Sequence, residues 1–124
     1  MKIVADIDIP FLNGVLEPYG EVLYKKGLDI SHEDVIDADA LIVRTRTRCD
    51  GALLDGTAVK MIATATIGMD HIDLEYCRKA GIEVANAAGC NAGGVMQYVF
   101  SALYGVAARK GIKIDGSTIG IVGV

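Results

Sequence analysis

Residues 40–48 read ALIVRTRTR, four apolar residues followed by alternating arginine and threonine. The apolar run has no polar alternation, which is typical of a strand with both faces covered, as in parallel sheets. Five more runs of this kind occupy residues 3–5, 22–24, 61–63, 83–85 and 118–122. The pattern predicts an α/β protein built on a parallel sheet.

Helix signals lie between these runs. Ser31 precedes two acidic residues, and Asp73 precedes a helical run that Gly81 would end. The strongest helix is predicted over residues 95–109, with Asn91 as its cap. Its apolar surface is broad, so we expect it to fold back over the sheet or to be covered by another domain or a second copy of the chain. The alternation of strands and helices predicts a doubly wound sheet, which binds ligands beyond the carboxyl ends of its strands.

The composition limits the expected partners. The chain has 124 residues, of which 52% are hydrophobic and 23% charged, as suits a globular domain. Its net charge of −4 argues against binding to nucleic acid or to an anionic membrane surface. No apolar stretch reaches membrane-spanning length, and three cysteines without metal-ligand spacing indicate a reduced, cytoplasmic setting. A small molecule remains as the expected partner.

The arginines and threonines of residues 44–48 follow the central apolar run, where a parallel sheet would bind its ligand. Three guanidinium groups can form an anion site for carboxylate or phosphate, and the threonine hydroxyls add donors. The alternative is a solvated strand end whose arginines pair with Asp50 or Asp55.

Two further loops are candidates. In residues 63–73 the small residues around Gly68 let backbone amides approach a carboxylate, with the Thr66 hydroxyl as an added donor. Asp70 and Asp73 there are interpreted as turn and cap residues, and His71 as structural. Residues 86–94 form a glycine-rich loop before the long helix, interpreted as a hinge or ligand-facing corner, whose two adjacent glycines suggest close packing of the backbone against another domain or a bound molecule. In that loop Cys90 is interpreted as a small buried residue rather than a reactive thiol.

A metal site is considered and set aside. Asp6 and Asp8 resemble half of the acidic pocket of a phosphoacceptor receiver domain. Such a pocket needs an aspartate at the end of the third strand, where this chain has Arg44 and Thr45. We therefore predict no metal site.

Residues 119–124 read IGIVGV, as the first strand of a dinucleotide-binding unit does before its phosphate loop. Gly123 is the only loop glycine that the chain offers toward a G-x-G-x-x-G fingerprint. We expect the 124 residues to be the front part of a longer enzyme. The alternative is a protein that ends in an ordinary buried strand.

Three segments together resemble the D-isomer-specific 2-hydroxyacid dehydrogenases: residues 64–73 (TATIGMDHID), 88–92 (AGCNA) and 118–123 (TIGIVG). The resemblance implies a flavodoxin-like, doubly wound substrate domain over residues 1–90. Residues 91–124 would then be a linking helix and the start of a truncated Rossmann domain. It also implies NAD-dependent oxidation of a phosphorylated 2-hydroxy acid, in pyridoxal phosphate synthesis, by a cytoplasmic homodimer.

The same resemblance assigns site residues. Thr45 and Thr66 match substrate-contacting hydroxyl residues, although the family commonly has serine at the first position. Arg44 is added as a guanidinium able to meet the charge of the substrate, and Gly123 belongs to an incomplete cofactor-binding loop.

The resemblance also implies what the chain lacks. The family's catalytic arginine, histidine and carboxylate would lie after Val124, and neither His32 nor His71 matches the histidine motif. We therefore predict no catalytic residue in this chain and no activity from it alone. The open alternatives are a dehydrogenase for another 2-hydroxy acid, such as phosphoglycerate, and a non-catalytic flavodoxin-like binding module.

Overall fold

The computed structural model describes residues 1–122, so the predicted phosphate-loop residue Gly123 lies outside the described residues. The chain divides into two compact units, Met1–Ala88 and Gly89–Val124. This division falls two residues before the boundary predicted between residues 90 and 91. No helix in the described part of the chain is both long and apolar enough to cross a membrane.

The first unit is built on a five-stranded sheet in which every neighbouring pair is parallel. The strands are β1 (Lys2–Asp6), β2 (Glu21–Lys25), β3 (Ala40–Val43), β4 (Met61–Thr64) and β5 (Glu83–Asn86). Their order across the sheet is β2-β1-β3-β4-β5, which is the flavodoxin-like order. The predicted α/β class and doubly wound parallel sheet are confirmed.

Short helices connect the strands of this unit: α1 (His32–Val35), α2 (Gly51–Leu54) and α3 (Leu74–Ala80), with one 3-10 turn at Glu17–Tyr19. The predicted signals at α3 are confirmed. Asp73 accepts a hydrogen bond from the Tyr76 N–H at 2.9 Å, and Gly81 ends the helix with a left-handed φ of 73°. Sequence reasoning missed α2, whose cap is Asp50, the acceptor of the Ala52 N–H at 3.0 Å.

The main core cluster lies on one face of the sheet. Val4, Leu41 and Ile62 have no exposed surface and pack with buried residues of the connecting helices and loops. On the opposite face Ile3, Ala5 and Ala40 are buried as well, whereas Ala63 is half-buried and Ala85 exposed. Coverage of both faces, expected from the unalternating apolar runs, is therefore partial in the described residues: the second face is buried at β1 and at the start of β3 and exposed at β5.

The second unit contains one long helix, α4 (Ala92–Lys110), three residues longer at its start than predicted. Asn91 precedes it, but its side chain makes no capping hydrogen bond, because its backbone (φ −107°, ψ 3°) lacks the extended conformation usual for a cap. The predicted broad apolar surface is confirmed by exposed side chains at Val95, Met96, Tyr98, Val99, Phe100, Tyr104 and Val106.

The prediction of a strand over residues 118–122 is wrong. These residues adopt no regular secondary structure. A strand needs a neighbour to pair its N–H and C=O groups, and none of residues 1–122 offers one to this segment.

Candidate functional site

The parallel strands bring the loops after β1, β3 and β4 to one edge of the sheet. Val43 pairs with Thr64 across β3 and β4, so Thr45 and Thr66 each lie two residues beyond the same level of the sheet. We call residues 7–8, 44–47 and 65–70 the carboxyl rim. The structure thus places the three predicted substrate-binding residues on two adjacent loops of one edge.

Thr45 and Thr66 differ in their surroundings on the carboxyl rim. Thr45 is exposed, and its hydroxyl makes no hydrogen bond within residues 1–122. Thr66 is half-buried, and its hydroxyl donates to the Gly68 carbonyl at 3.1 Å. The Thr66 oxygen also lies 2.7 Å from the hydroxyl oxygen of Thr64, the buried last residue of β4. The Thr45 hydroxyl can therefore rotate toward a ligand, whereas hydrogen bonds fix the direction of the Thr66 hydroxyl.

His71 extends this arrangement. Its Nε2 lies 3.2 Å from the Thr64 hydroxyl oxygen. Burial lowers the pKa of the imidazole below its ordinary value, although Asp70 opposes the shift. The shift favours the neutral form of the ring. The interpretation of His71 as structural agrees with this contact, but the sequence carried no signal for its partner.

Arg44 is held by two aspartates. Its Nε lies 3.1 Å from Oδ2 of Asp6 and its Nη2 lies 3.2 Å from Oδ2 of Asp8. Asp6 has no exposed surface, and its other oxygen accepts the Asp8 N–H at 3.0 Å. The aspartates considered for a metal thus hold a guanidinium instead. Because two carboxylates offset its charge, Arg44 can help to bind an anion through directed N–H groups rather than through excess charge.

The predicted alternative, a strand end with paired arginines, is correct for Arg48. Its Nε lies 2.7 Å from Oδ2 of Asp50. Asp55 instead accepts the Tyr76 hydroxyl at 3.3 Å. Arg46 lines a cleft of about 320 Å³ together with Lys26 and two aspartates, Asp8 and Asp29. No group of three or more potential metal ligands occurs in the part of the chain that the structure covers.

A glycine lets the end of β2 approach Asp6. A Cβ on Gly27 would lie 2.9 Å from Asp6 Oδ2 and 3.0 Å from the Thr47 hydroxyl oxygen. The Thr47 hydroxyl donates to the Gly27 carbonyl at 2.9 Å and is buried. Sequence reasoning missed Gly27, and it counted Thr47 only among the threonine donors of residues 44–48. The only available signal for Gly27 was its place two residues after Lys25, which ends β2.

Only the first two residues of the third candidate loop, residues 86–94, bond to the carboxyl rim. The Asn86 side chain donates to the Ile67 carbonyl at 2.9 Å, and the Ala87 N–H donates to the Thr66 carbonyl at 3.2 Å. These bonds tie the loop after β5 to the carboxyl rim. Cys90 is exposed, so its interpretation as a buried residue is wrong. A Cβ at Gly93 or Gly94 would meet nothing within 4 Å apart from the adjacent backbone of its own helix, so the expected close approach of another domain or a bound molecule stays a prediction.

Comparisons with known proteins identify the family that the chain matches. The family model described as "D-isomer specific 2-hydroxyacid dehydrogenase, catalytic domain" matches residues 3–114. The erythronate-4-phosphate dehydrogenase of Bacteroides fragilis is 54% identical over 125 residues, covering 100% of this chain and 36% of that protein. That of Porphyromonas gingivalis is 45% identical, with 34% of its length covered. The chain spans about a third of the length of the curated relatives that it matches.

Solved structures give a similar result. An NAD⁺-bound 3-phosphoglycerate dehydrogenase from Entamoeba histolytica is 34% identical with a TM-score of 0.64, over 82% of this chain and 37% of that one. A D-lactate dehydrogenase from Aquifex aeolicus, in complex with NAD and lactic acid, has a TM-score of 0.67 at 21% identity, over 97% of this chain and 39% of that one. At 21% identity, the similarity to the D-lactate dehydrogenase concerns the fold alone.

Proposed function

The chain belongs to the D-isomer specific 2-hydroxyacid dehydrogenase family, and on this premise we propose that residues 1–90 are the substrate domain of an NAD-dependent erythronate-4-phosphate dehydrogenase. The proposed reaction oxidises 4-phospho-D-erythronate at C2 to 2-oxo-3-hydroxy-4-phosphobutanoate, in pyridoxal phosphate synthesis. The observation that carries the proposal is the 54% identity to the Bacteroides fragilis enzyme over the whole chain.

In this proposal the carboxyl rim binds the acid. The exposed Thr45 hydroxyl donates to an anionic oxygen of the substrate. Thr66 donates to a second oxygen once its hydrogen leaves the Gly68 carbonyl. Arg44 is held by Asp6 and Asp8 through two nitrogens, and its remaining N–H groups meet substrate charge. Hydroxyl and guanidinium donors suit a carboxylate or a phosphate because both present several acceptor oxygens.

Cofactor and chemistry belong to the complete gene product in this proposal. NAD, when bound, accepts the hydride from C2. We assign no catalytic residue and no metal to residues 1–122, whose groups bind and orient the acid. Residues 91–124 are proposed as the linking helix and the start of the NAD-binding domain, with Gly123 in its phosphate loop. A cytoplasmic homodimer is proposed as well, and the exposed apolar side chains of α4 support an interface there.

Phosphoglycerate oxidation is the second candidate. It is favoured by the 34% identity to the 3-phosphoglycerate dehydrogenase of Entamoeba histolytica. Both candidate substrates are phosphorylated 2-hydroxy acids, and the phosphate of 3-phosphoglycerate is one carbon closer to the reacting alcohol. The same rim residues would bind either acid.

A substrate comparison tests the proposal. The complete gene product is mixed with NAD and with 4-phospho-D-erythronate, 3-phospho-D-glycerate or D-lactate, and reduced cofactor is measured. We expect the highest kcat/KM for 4-phospho-D-erythronate. A higher kcat/KM for phosphoglycerate would favour the second candidate. Binding of these acids without any cofactor reduction would instead indicate the non-catalytic binding module.

A further inference from the structure

Three hydrogen bonds in a row set the direction in which Thr66 donates. The Gly68 carbonyl can only accept, so the contact at 3.1 Å uses the single hydrogen of the Thr66 hydroxyl. The Thr64 hydroxyl must then supply the hydrogen between the two threonine oxygens, 2.7 Å apart. Its oxygen is left to accept, so the bond at 3.2 Å is donated by Nε2–H of His71. The order of donation is His71 to Thr64 to Thr66 to Gly68.

The buried middle of this row and its exposed end are each suited to their roles. Thr64 has only 3% of its surface exposed, so no bulk water competes for its hydroxyl. Its strand pairs with neighbours on both sides, through Val43 and Asn86, which fixes its backbone. Thr66 and Gly68 lie instead on the carboxyl rim, where the Gly68 carbonyl is the acceptor that a ligand oxygen can replace. Turning the Thr66 O–H toward a ligand leaves the two upstream bonds unchanged.

We propose that Thr64 and His71 are positioning residues for the acid, because their donated hydrogens hold the Thr66 oxygen and direct its own hydrogen toward an anionic oxygen of the substrate. This inference rests on the proposed function of the carboxyl rim. A hydroxyl that accepts a hydrogen bond is also a stronger donor, since bonds in a chain polarise one another. Neither positioning residue touches the substrate.

Kinetics of the complete gene product with NAD and 4-phospho-D-erythronate test the inference. Thr64→Val removes the hydroxyl at constant volume, and we expect KM to rise about tenfold with kcat within about twofold, because the lost contact is present in ground and transition states alike. Thr64→Ser restores the hydroxyl and should keep KM within about twofold of wild type. The matched control is Thr57→Val, which removes a hydroxyl bonded to the Leu54 carbonyl at 2.8 Å outside the carboxyl rim.

Variants of His71 protect the test against misfolding of Thr64→Val, because His71 is only half-buried. His71→Gln keeps an N–H donor and should leave KM within about twofold, whereas His71→Leu should raise it about three- to tenfold. His32→Leu is the control, since the His32 ring contacts the Leu53 carbonyl at 3.0 Å away from the rim. An unchanged KM in both Thr64→Val and His71→Leu, with wild-type activity intact, would overturn this inference and leave the proposed function standing.

The tautomer of His71 gives a readout that needs no substrate. Nitrogen NMR of the chain at neutral pH should show His71 protonated on Nε2 and bare on Nδ1, as the order of donation requires. With the Nδ1–H tautomer Thr64 would donate to His71 and Thr66 to Thr64, so the Thr66 hydrogen would no longer point to Gly68 and the inference would be overturned whatever the kinetics. If the tautomer is the expected one but the wild-type gene product oxidises none of the acids, the proposed function fails and the assigned role in substrate binding fails with it.

Discussion

Arg44 Nε lies 3.1 Å from Oδ2 of Asp6, a carboxylate with no exposed surface that is 38 residues distant in sequence. The pairing joins the end of β1 to the end of β3 at the carboxyl rim. It orients a guanidinium beside Thr45. Asp8 also lies 3.2 Å from Nη2 of the same side chain, so two carboxylates offset the positive charge of Arg44. The rim therefore presents oriented donors more than net positive charge.

Replacing Asp6 should destabilise the first unit. Asp6→Asn keeps the volume but leaves Arg44 with a neutral partner, and we expect the free energy of unfolding to fall by about 1–3 kcal/mol in urea denaturation. Glu75→Gln is the control, because the Glu75–Lys79 pair is exposed on both sides and should change stability little. Equal losses of unfolding free energy in the two variants would show that the buried Asp6–Arg44 pair stabilises the fold no more than an exposed pair does.

Adding a methyl group at Gly27 should be unfavourable. In Gly27→Ala the new Cβ would meet Asp6 and Thr47 at 2.9 and 3.0 Å, so buried side chains must shift. We expect a loss of about 1–3 kcal/mol in unfolding free energy. Gly93→Ala in the first turn of α4 is the matched control, where nothing lies within 4 Å and a gain of up to about 1 kcal/mol is expected. A neutral Gly27→Ala would contradict the packing described.

Asp34 should make stability depend on pH in the acid range. Although burial opposes its ionisation, hydrogen bonds from Lys25 and Ser31 lower its pKa to about 2. Because the pKa of Asp34 is lower in the folded state, the ionised carboxylate stabilises the fold fully above the unfolded pKa of 3.8. This stabilisation is lost as pH falls toward 2. Unfolding free energies of wild type and Asp34→Asn should converge by about 1–2 kcal/mol across that window. Parallel curves would contradict the assignment.

Thiol reactivity should separate the three cysteines. Burial raises the pKa of Cys49 to about 12 and also raises the pKa of the buried Cys77, whereas Cys90 is exposed. A disulfide reagent at neutral pH should therefore label one thiol of the native chain quickly and all three after denaturation. Cys90→Ser should abolish the fast phase. Rapid labelling of a second thiol in the native chain would contradict the burial described.

Thr45 tests the carboxyl rim directly. Thr45→Val should raise the dissociation constant for 4-phospho-D-erythronate about tenfold in calorimetry of the complete gene product, since a hydrogen bond to a charged group is lost. Thr45→Ser should bind nearly as wild type does. Because Thr45 is exposed, neither variant should alter the unfolding transition. Unchanged affinity in Thr45→Val would remove Thr45 from the proposed site.

Local sequence was a good guide to the sheet and a poor guide to short or unpaired elements. The runs at β3 and β4 were predictable because each is a short, unbroken apolar run bounded by polar residues, a pattern that is complete within a few residues. Helix α2 has four residues, too few for a periodic pattern, and its cap Asp50 also pairs with Arg48. The run at residues 118–122 has a strand composition, but composition supplies no neighbouring strand to pair with it.

The order of the five strands and of helices α1, α3 and α4, and the places where polar residues follow apolar runs, were determined by the sequence alone, because periodicity and turn chemistry act over a few residues. Only the tertiary structure decided which polar groups meet. Asp6 reaches Arg44 because β1 lies beside β3 in the sheet, and His71 reaches Thr64 because the loop after β4 turns back over its own strand. Such contacts depend on strand order and on the direction of each donor, which no local pattern encodes.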